Sequence, residues 1–106
     1  MYLVIFITAS CRKEAEKIAQ VLLKYRLAAC INIIKNINSF FWWQGKVDKA
    51  EESLLIIKTK KALFSQLISK VKAIHSYKVP EIIAIPIVKG ERNYLDWLDE
   101  SVRQSF

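Results

Sequence analysis

The order of hydrophobic patterns predicts an α+β fold, a ferredoxin-like split βαβ sandwich (βαββαβ) with one further helix at its end. Three observations carry the prediction. Apolar runs of strand length alternate with segments of helical periodicity in the order strand, helix, strand, strand, helix, strand, helix. The two middle strands are separated only by Gln44-Gly45-Lys46, a turn signal containing one of the chain's two glycines, so they form a hairpin. That hairpin is long, running from residue 30 to about 43 and from 47 to 59, and four consecutive aromatics, Phe40, Phe41, Trp42 and Trp43, stand at its tip.

Residues 2–8, YLVIFIT, form a near-continuous apolar run, the pattern of a strand buried on both faces. Ser10 is expected to cap the first helix. In that helix Ala15, Ile18, Ala19 and Leu22 make an apolar stripe that Arg26 continues in phase, with Lys13, Lys17 and Lys24 turned away. Strand two begins near Cys30; its alternation holds at Ile31 and Ile33, then slips at Ile34 and Ile37, which predicts a bulge. After the turn, Val47 to Glu52 is polar and SLLIIKT returns to a buried strand. Thr59 is expected to cap the second helix, whose inner stripe is Leu63, Phe64, Leu67, Ile68 and Val71 and whose end falls around His75. Pro80 and Pro86 bracket EIIAI, a short strand suited to a sheet edge. Gly90 breaks the chain, and Asn93 with Asp96 three residues on starts the last helix, with Tyr94, Leu95, Leu98 and Val102 inward. Right-handed crossovers place the helices on one face of the sheet. Residues 1–106 read as a single domain without linker or low-complexity stretch.

Hairpin arms of about 13 residues reach roughly 44 Å at about 3.4 Å per residue. A compact domain of about 100 residues has a radius of gyration near 13 Å, hence a diameter of about 34 Å. The tip therefore overhangs, and aromatics at that density on a soluble protein call for another surface to cover them. An obligate oligomer built around the arm is expected. Phe40, Phe41, Trp42 and Trp43 are then interface anchors, rather than platforms on which a ligand or base stacks.

Apolar residues make up 53% of the chain, above the usual share and in keeping with subunit burial. No apolar run reaches the length of a membrane span, and MYLVIFITAS lacks the basic region of a signal peptide. Cys11 and Cys30 form no CxxC, so reduced thiols and a cytoplasmic setting are expected. The net charge of +7 favours polyanions in general, yet the basic residues are scattered from Arg12 to Arg103 and locate no site. RNA-binding domains of this fold stack bases on aromatics of strands one and three, and strand three here has none, so no nucleic-acid partner is expected. Neither glycine lies in a Gly-rich loop, which excludes a Walker or dinucleotide phosphate cradle. His75 is the only histidine and no GxSxG occurs, so nothing argues for catalysis.

The strings RLAACIN (26–32), FWWQGK (41–46), EESLLIIKT (51–59), HSYKVPEI (75–82) and YLDWL (94–98) closely resemble the CutA family, in order and over nearly the whole chain. That resemblance implies a homotrimer locked by the long hairpins, an architecture similar to PII-type signalling trimers, and a role in tolerance of divalent cations, copper above all, without enzyme activity. It also implies departures. Ser76 stands where the family usually has proline, and Phe41 where tyrosine is common. Some members are thought to bind copper through a strand-one cysteine and two adjacent histidines; the matching positions here are Ile7, Ile74 and His75.

His75 is thus the candidate metal ligand, for copper or another divalent cation, against the reading of a surface histidine at the last carbonyls of a helix. One chain offers too few ligands, so Cys30 or a neighbouring subunit must complete any such site. Cys30, Lys58, Tyr77 and Glu81 are the candidate ligand pocket. Cys30 reads either as a small buried hydrophobe or as a soft-metal ligand. Lys58 ends an apolar run and is either exposed or paired with Glu51, Glu52 or Glu81, across a subunit boundary if need be. The expectation is a metal ion or small ligand held at inter-subunit clefts. The alternatives are a structural or signalling trimer without metal and, behind it, an RNA-binding module of the same ferredoxin-like fold.

Overall fold

The computed structural model describes residues 1–104. Strand β1 (Tyr2–Ala9) leads to helix α1 (Arg12–Lys24), followed by β2 (Cys30–Trp43) and β3 (Lys46–Lys60). A 3₁₀ turn (Lys61–Leu63) precedes α2 (Phe64–Ile74), then come β4 (Ile82–Pro86) and α3 (Arg92–Ser101). The strands form one antiparallel sheet in the order β2-β3-β1-β4, with the proline-ended β4 at an edge, where a missing N–H is harmless.

The periodicities explain the core. Leu3, Ile5 and Ile7 of β1 alternate towards α1 and α2, and Leu55 and Ile57 of β3 do the same. Ile18 and Leu22 of α1 and Leu67 and Val71 of α2 meet them, all fully buried. Each such side chain contributes roughly 1.5–3 kcal/mol on leaving water. The other side of the sheet is different. Val4 and Phe6 of β1 are only half-buried, so β1 is covered on one face and not on both.

Three caps differ from expectation. Cys11, not Ser10, is the N-cap of α1; the Ser10 amide and hydroxyl instead reach the Glu14 carboxylate at 2.8 and 2.9 Å. Thr59 does not cap α2 but pairs with Leu3 inside the sheet, and its buried hydroxyl donates to the Leu27 carbonyl at 2.6 Å. Asn93 is displaced as cap by Glu91, whose carboxylate accepts from the amides of Asn93 at 3.1 Å and Tyr94 at 2.9 Å. An acidic side chain at that place also favours the helix dipole.

The last helix does not join the first two. Lys60 lies opposite Tyr2, on the side of the sheet away from Ile57 and Leu3, and its ammonium meets Asp99 of α3 at 3.2 Å. Leu98 is fully buried yet lies outside the core that α1 and α2 build. Helix α3 therefore covers a corner of the opposite face, near the start of β2. Tyr94, expected inward, is half-exposed there.

The bulge appears as a register shift between Ile34 and Ile37, with Asn36 at φ 61°. Gln44 and Gly45 both take positive φ, the turn that matches strand twist in a tight hairpin. β1 pairs with β3 only from Ser53 to Lys60, so Lys46–Glu52 and Ile37–Trp43 bond only to each other. This two-stranded ribbon leaves the body, and the longest extent of the chain is 44 Å against 27 and 22 Å. A free ribbon of two strands is at best marginal in water.

Candidate functional site

Period-two alternation fixes what the uncovered sheet face carries. Residues opposite one another share a face, so Val4, Lys58, Cys30 and Ile85 lie in one row, and Phe6, Ile56, Asn32 and Ile83 in the next. Ile83 and Ile85 are half-exposed, as is Ile34 further along β2. At the ribbon tip, Phe40 is 71% and Trp42 76% exposed, with Phe41 and Trp43 on the other side of the same ribbon. An apolar sheet face continuous with an aromatic ribbon is a surface built to be covered.

Within that face sits a small polar island. The Lys58 ammonium donates to the Asn32 side-chain oxygen, and the Cys30 thiol lies 3.9 Å from the same oxygen. The Tyr94 hydroxyl of α3 stands near Cys30; burial, then the neighbouring sulfur, pushes its pKa up. No carboxylate pairs with Lys58 among the described residues; its neighbours across the strands are Cys30 and Val4. The structure thus brings Cys30 and Lys58 together, and adds Asn32 and Tyr94, which sequence reasoning passed over. Asn32 was legible in principle, two residues after Cys30 and so on its face.

Tyr77 and Glu81 are elsewhere. Their segment crosses the far end of β1, at the rung of Thr8, four residues from the rung of Val4 and so about 13 Å away. There the Tyr77 hydroxyl donates to the buried Glu52 carboxylate at 2.7 Å. Burial and then that carboxylate push the phenol up to about 12. Glu52 is therefore the partner of Tyr77, not of Lys58. Glu81 is exposed and makes no hydrogen bond or ion pair among the described residues.

His75 is neither on the surface nor facing the last carbonyls of α2. Its side chain is 0% exposed. Nδ1 accepts from the Tyr77 amide at 3.0 Å, which places the proton on Nε2, and Nε2 donates to the Thr8 carbonyl at 2.8 Å. The Glu14 carboxylate lies 3.9 Å from Nδ1. It also accepts from the Ser76 amide at 2.7 Å and hydroxyl at 3.0 Å, besides the two groups of Ser10. Burial alone pushes Glu14 up, but these four donors outweigh it and hold the carboxyl down at about 2. Glu14, absent from the sequence-based candidates, ties the β1–α1 turn to the α2–β4 segment. Ser76 does here what a proline cannot, since its amide is a donor. Cys11 is exposed beside this cluster, its thiol held below the usual range by the Glu14 amide and the Ser10 hydroxyl.

As a metal centre, one chain fits poorly. Both His75 nitrogens are engaged, and no three His, Cys, Asp or Glu side chains converge on a point among the described residues. Closed sites need about four ligands. No helix among the described residues is long and apolar enough to cross a membrane.

Comparison with known proteins agrees with the motifs. A divalent-cation tolerance protein CutA of Archaeoglobus fulgidus is 50% identical over 96% of this chain and 99% of its own length. Another from Thermus thermophilus is 47% identical over 92% and 95%. The chain spans only 58% of a chloroplastic CutA 1 from Oryza sativa, at 44% identity. Among solved structures, the Thermus thermophilus protein superposes with a TM-score of 0.95 at 46% identity, covering 97% of this chain and all of that one. A structure from Archaeoglobus fulgidus, described as a periplasmic divalent cation tolerance protein, gives 0.94 at 50% identity over 97% and 100%. Residues 3–101 match the family described as CutA1 divalent ion tolerance protein. The chain belongs to that family.

Proposed function

We propose that this chain is one domain of a cytoplasmic homotrimer of split-βαβ subunits, a non-catalytic protein of divalent-cation tolerance that holds its ligand where subunits meet. The observation that carries the reading is the uncovered apolar sheet face running into the aromatic ribbon. Three sister chains satisfy both at once: a face that is apolar without being a core, and a ribbon too thin to be stable alone. Since a single chain does not fit a metal, copper or another divalent cation is held only if two or more subunits complete its ligands.

Sedimentation at micromolar concentration tests the assembly: three subunits are expected, and a stable monomer ends the reading. Calorimetric titration with copper tests the metal. Wild type and His75→Ala are expected to give the same isotherm, because the ring is already engaged; loss of binding in the variant reinstates His75 as a ligand.

A further inference from the structure

The polar island of the open sheet face has a lopsided chemistry. Lys58 offers three N–H donors, Tyr94 an O–H, Cys30 an S–H and Asn32 its amide NH₂. The strongest acceptor in it, the Asn32 oxygen, is already shared by Lys58 and Cys30, which leaves the phenol oxygen and a weakly accepting sulfur. The only formal charge in the island is positive. Around it lie Val4, Ile56 and Ile85, which are hydrocarbon. In the isolated chain Lys58 is half-buried and water supplies what is missing. Once a sister chain covers this face, as the proposed assembly requires, that water is excluded. An ammonium left with one neutral partner in an apolar surround is among the least tolerated arrangements in proteins.

We infer that Lys58, with Cys30, Asn32 and Tyr94 around it, forms an oxyanion site that closes on assembly and takes a carboxylate or phosphate group rather than a metal cation. The inference rests on the assembly reading above and names the ligand class that its cleft accepts. A divalent cation is repelled by the ammonium and finds no carboxylate beside it. An oxyanion meets a charge-assisted donor and three neutral ones. Two sources offer the same chemistry: a free small anion, or a carboxylate of the sister chain, for which Glu81, exposed and without a bond among the described residues, is one candidate.

The test uses wild type, Lys58→Met, Lys58→Arg and Glu81→Gln, each followed by sedimentation and by thermal unfolding. Unfolding is measured at constant ionic strength in chloride, with and without millimolar phosphate or succinate. For a free anion, wild type is expected to gain several degrees, saturably, since the ligand binds only the assembled state. Lys58→Arg keeps that gain, while Lys58→Met still assembles and loses it. For a sister carboxylate, wild type does not respond to either anion. Lys58→Met and Glu81→Gln then both weaken assembly at least tenfold, and Lys58→Arg restores it. The inference is overturned if wild type ignores both anions and Lys58→Met assembles and melts as wild type does. It is equally overturned if phosphate shifts wild type and Lys58→Met alike. A monomeric wild type is a separate result: it removes the assembly reading itself, whatever the anions do.

Discussion

Glu14 is the residue whose removal tests most of the local geometry at once. Its carboxylate accepts four hydrogen bonds, two from Ser10 and two from Ser76, while only 11% of its side chain is exposed. The folded carboxyl titrates at about 2 against an ordinary 4.5. At about 1.4 kcal/mol for each tenfold in proton affinity, the difference is roughly 3 kcal/mol. Water reaching the exposed serines screens part of it, so about 1–2 kcal/mol is the working figure. The sign follows from linkage. A depressed carboxyl adds stability in full above its unfolded value, and loses it as pH falls from about 4.5 to about 2, where the unfolded chain binds the proton first. Glu14→Gln keeps the shape and removes the charge. It is expected to be about 1–2 kcal/mol less stable at neutral pH and to show a flatter acid limb below pH 4.5 than wild type. The assay is urea unfolding at fixed protomer concentration from neutral pH down to pH 2.5 or so, since the proposed assembly would make stability concentration-dependent. A variant as stable as wild type at neutral pH, with the same acid limb, refutes the clasp.

Replacing Trp42 and Trp43 together by Ser is expected to move the sedimentation profile from assembly towards monomer or aggregate, because both rings are exposed on the ribbon. An unchanged profile removes them as anchors. Thr59→Val strands the buried Leu27 carbonyl without its 2.6 Å donor and is expected to cost about 1–3 kcal/mol in denaturant unfolding, where a neutral outcome refutes the bond's role. Tyr77→Phe leaves the buried Glu52 carboxylate without its hydroxyl and is expected to cost a similar ~1–3 kcal/mol. Its loss is expected to vanish in a Glu52→Met background, where no acceptor remains, and an undiminished loss there argues against the contact. Ser76→Pro removes both an amide and a hydroxyl donor from Glu14 and is expected to raise the carboxyl's titration from about 2 towards 4.5, read by NMR; no movement refutes the two bonds.

What could be read in the sequence follows the reach of each signal. Periodicity is local and repeated, so Ala15, Ile18, Ala19 and Leu22, or Leu63, Leu67 and Val71, show their buried face from spacing alone. The slip at Ile34 and Ile37 is visible for the same reason. Caps rest on a single residue: a start one residue later passes the cap from Ser10 to Cys11, and a start two residues earlier lets Glu91 replace Asn93. The site is legible where one strand pair suffices, as for Cys30 and Lys58, whose pairing follows from the hairpin register. It is illegible where the partner arrives from far along the chain. Nothing near Tyr77 announces Glu52, twenty-five residues earlier, and Tyr94 reads as packing until α3 is placed on the face that holds Cys30.

The corner where resemblance places copper is the sharpest case of that limit. Of the three matching positions, Ile7 is fully buried in the core beneath the helices, and Ile74 packs against the same core. A metal there needs ligands with lone pairs, and two of the three positions present hydrocarbon. The third, His75, has both nitrogens bound to backbone, and freeing either breaks a part-buried hydrogen bond that anchors the α2–β4 segment. The same residues make better sense as a structural corner: Ile7 and Ile74 fill it, His75 bridges Thr8 and Tyr77, and Glu14 holds Ser76 beside it. This chain therefore keeps the histidine while the other two matching positions carry no lone pair to offer a metal. If cation tolerance in this chain works through binding, it has to be sought on the surfaces that assembly completes, and not in this corner.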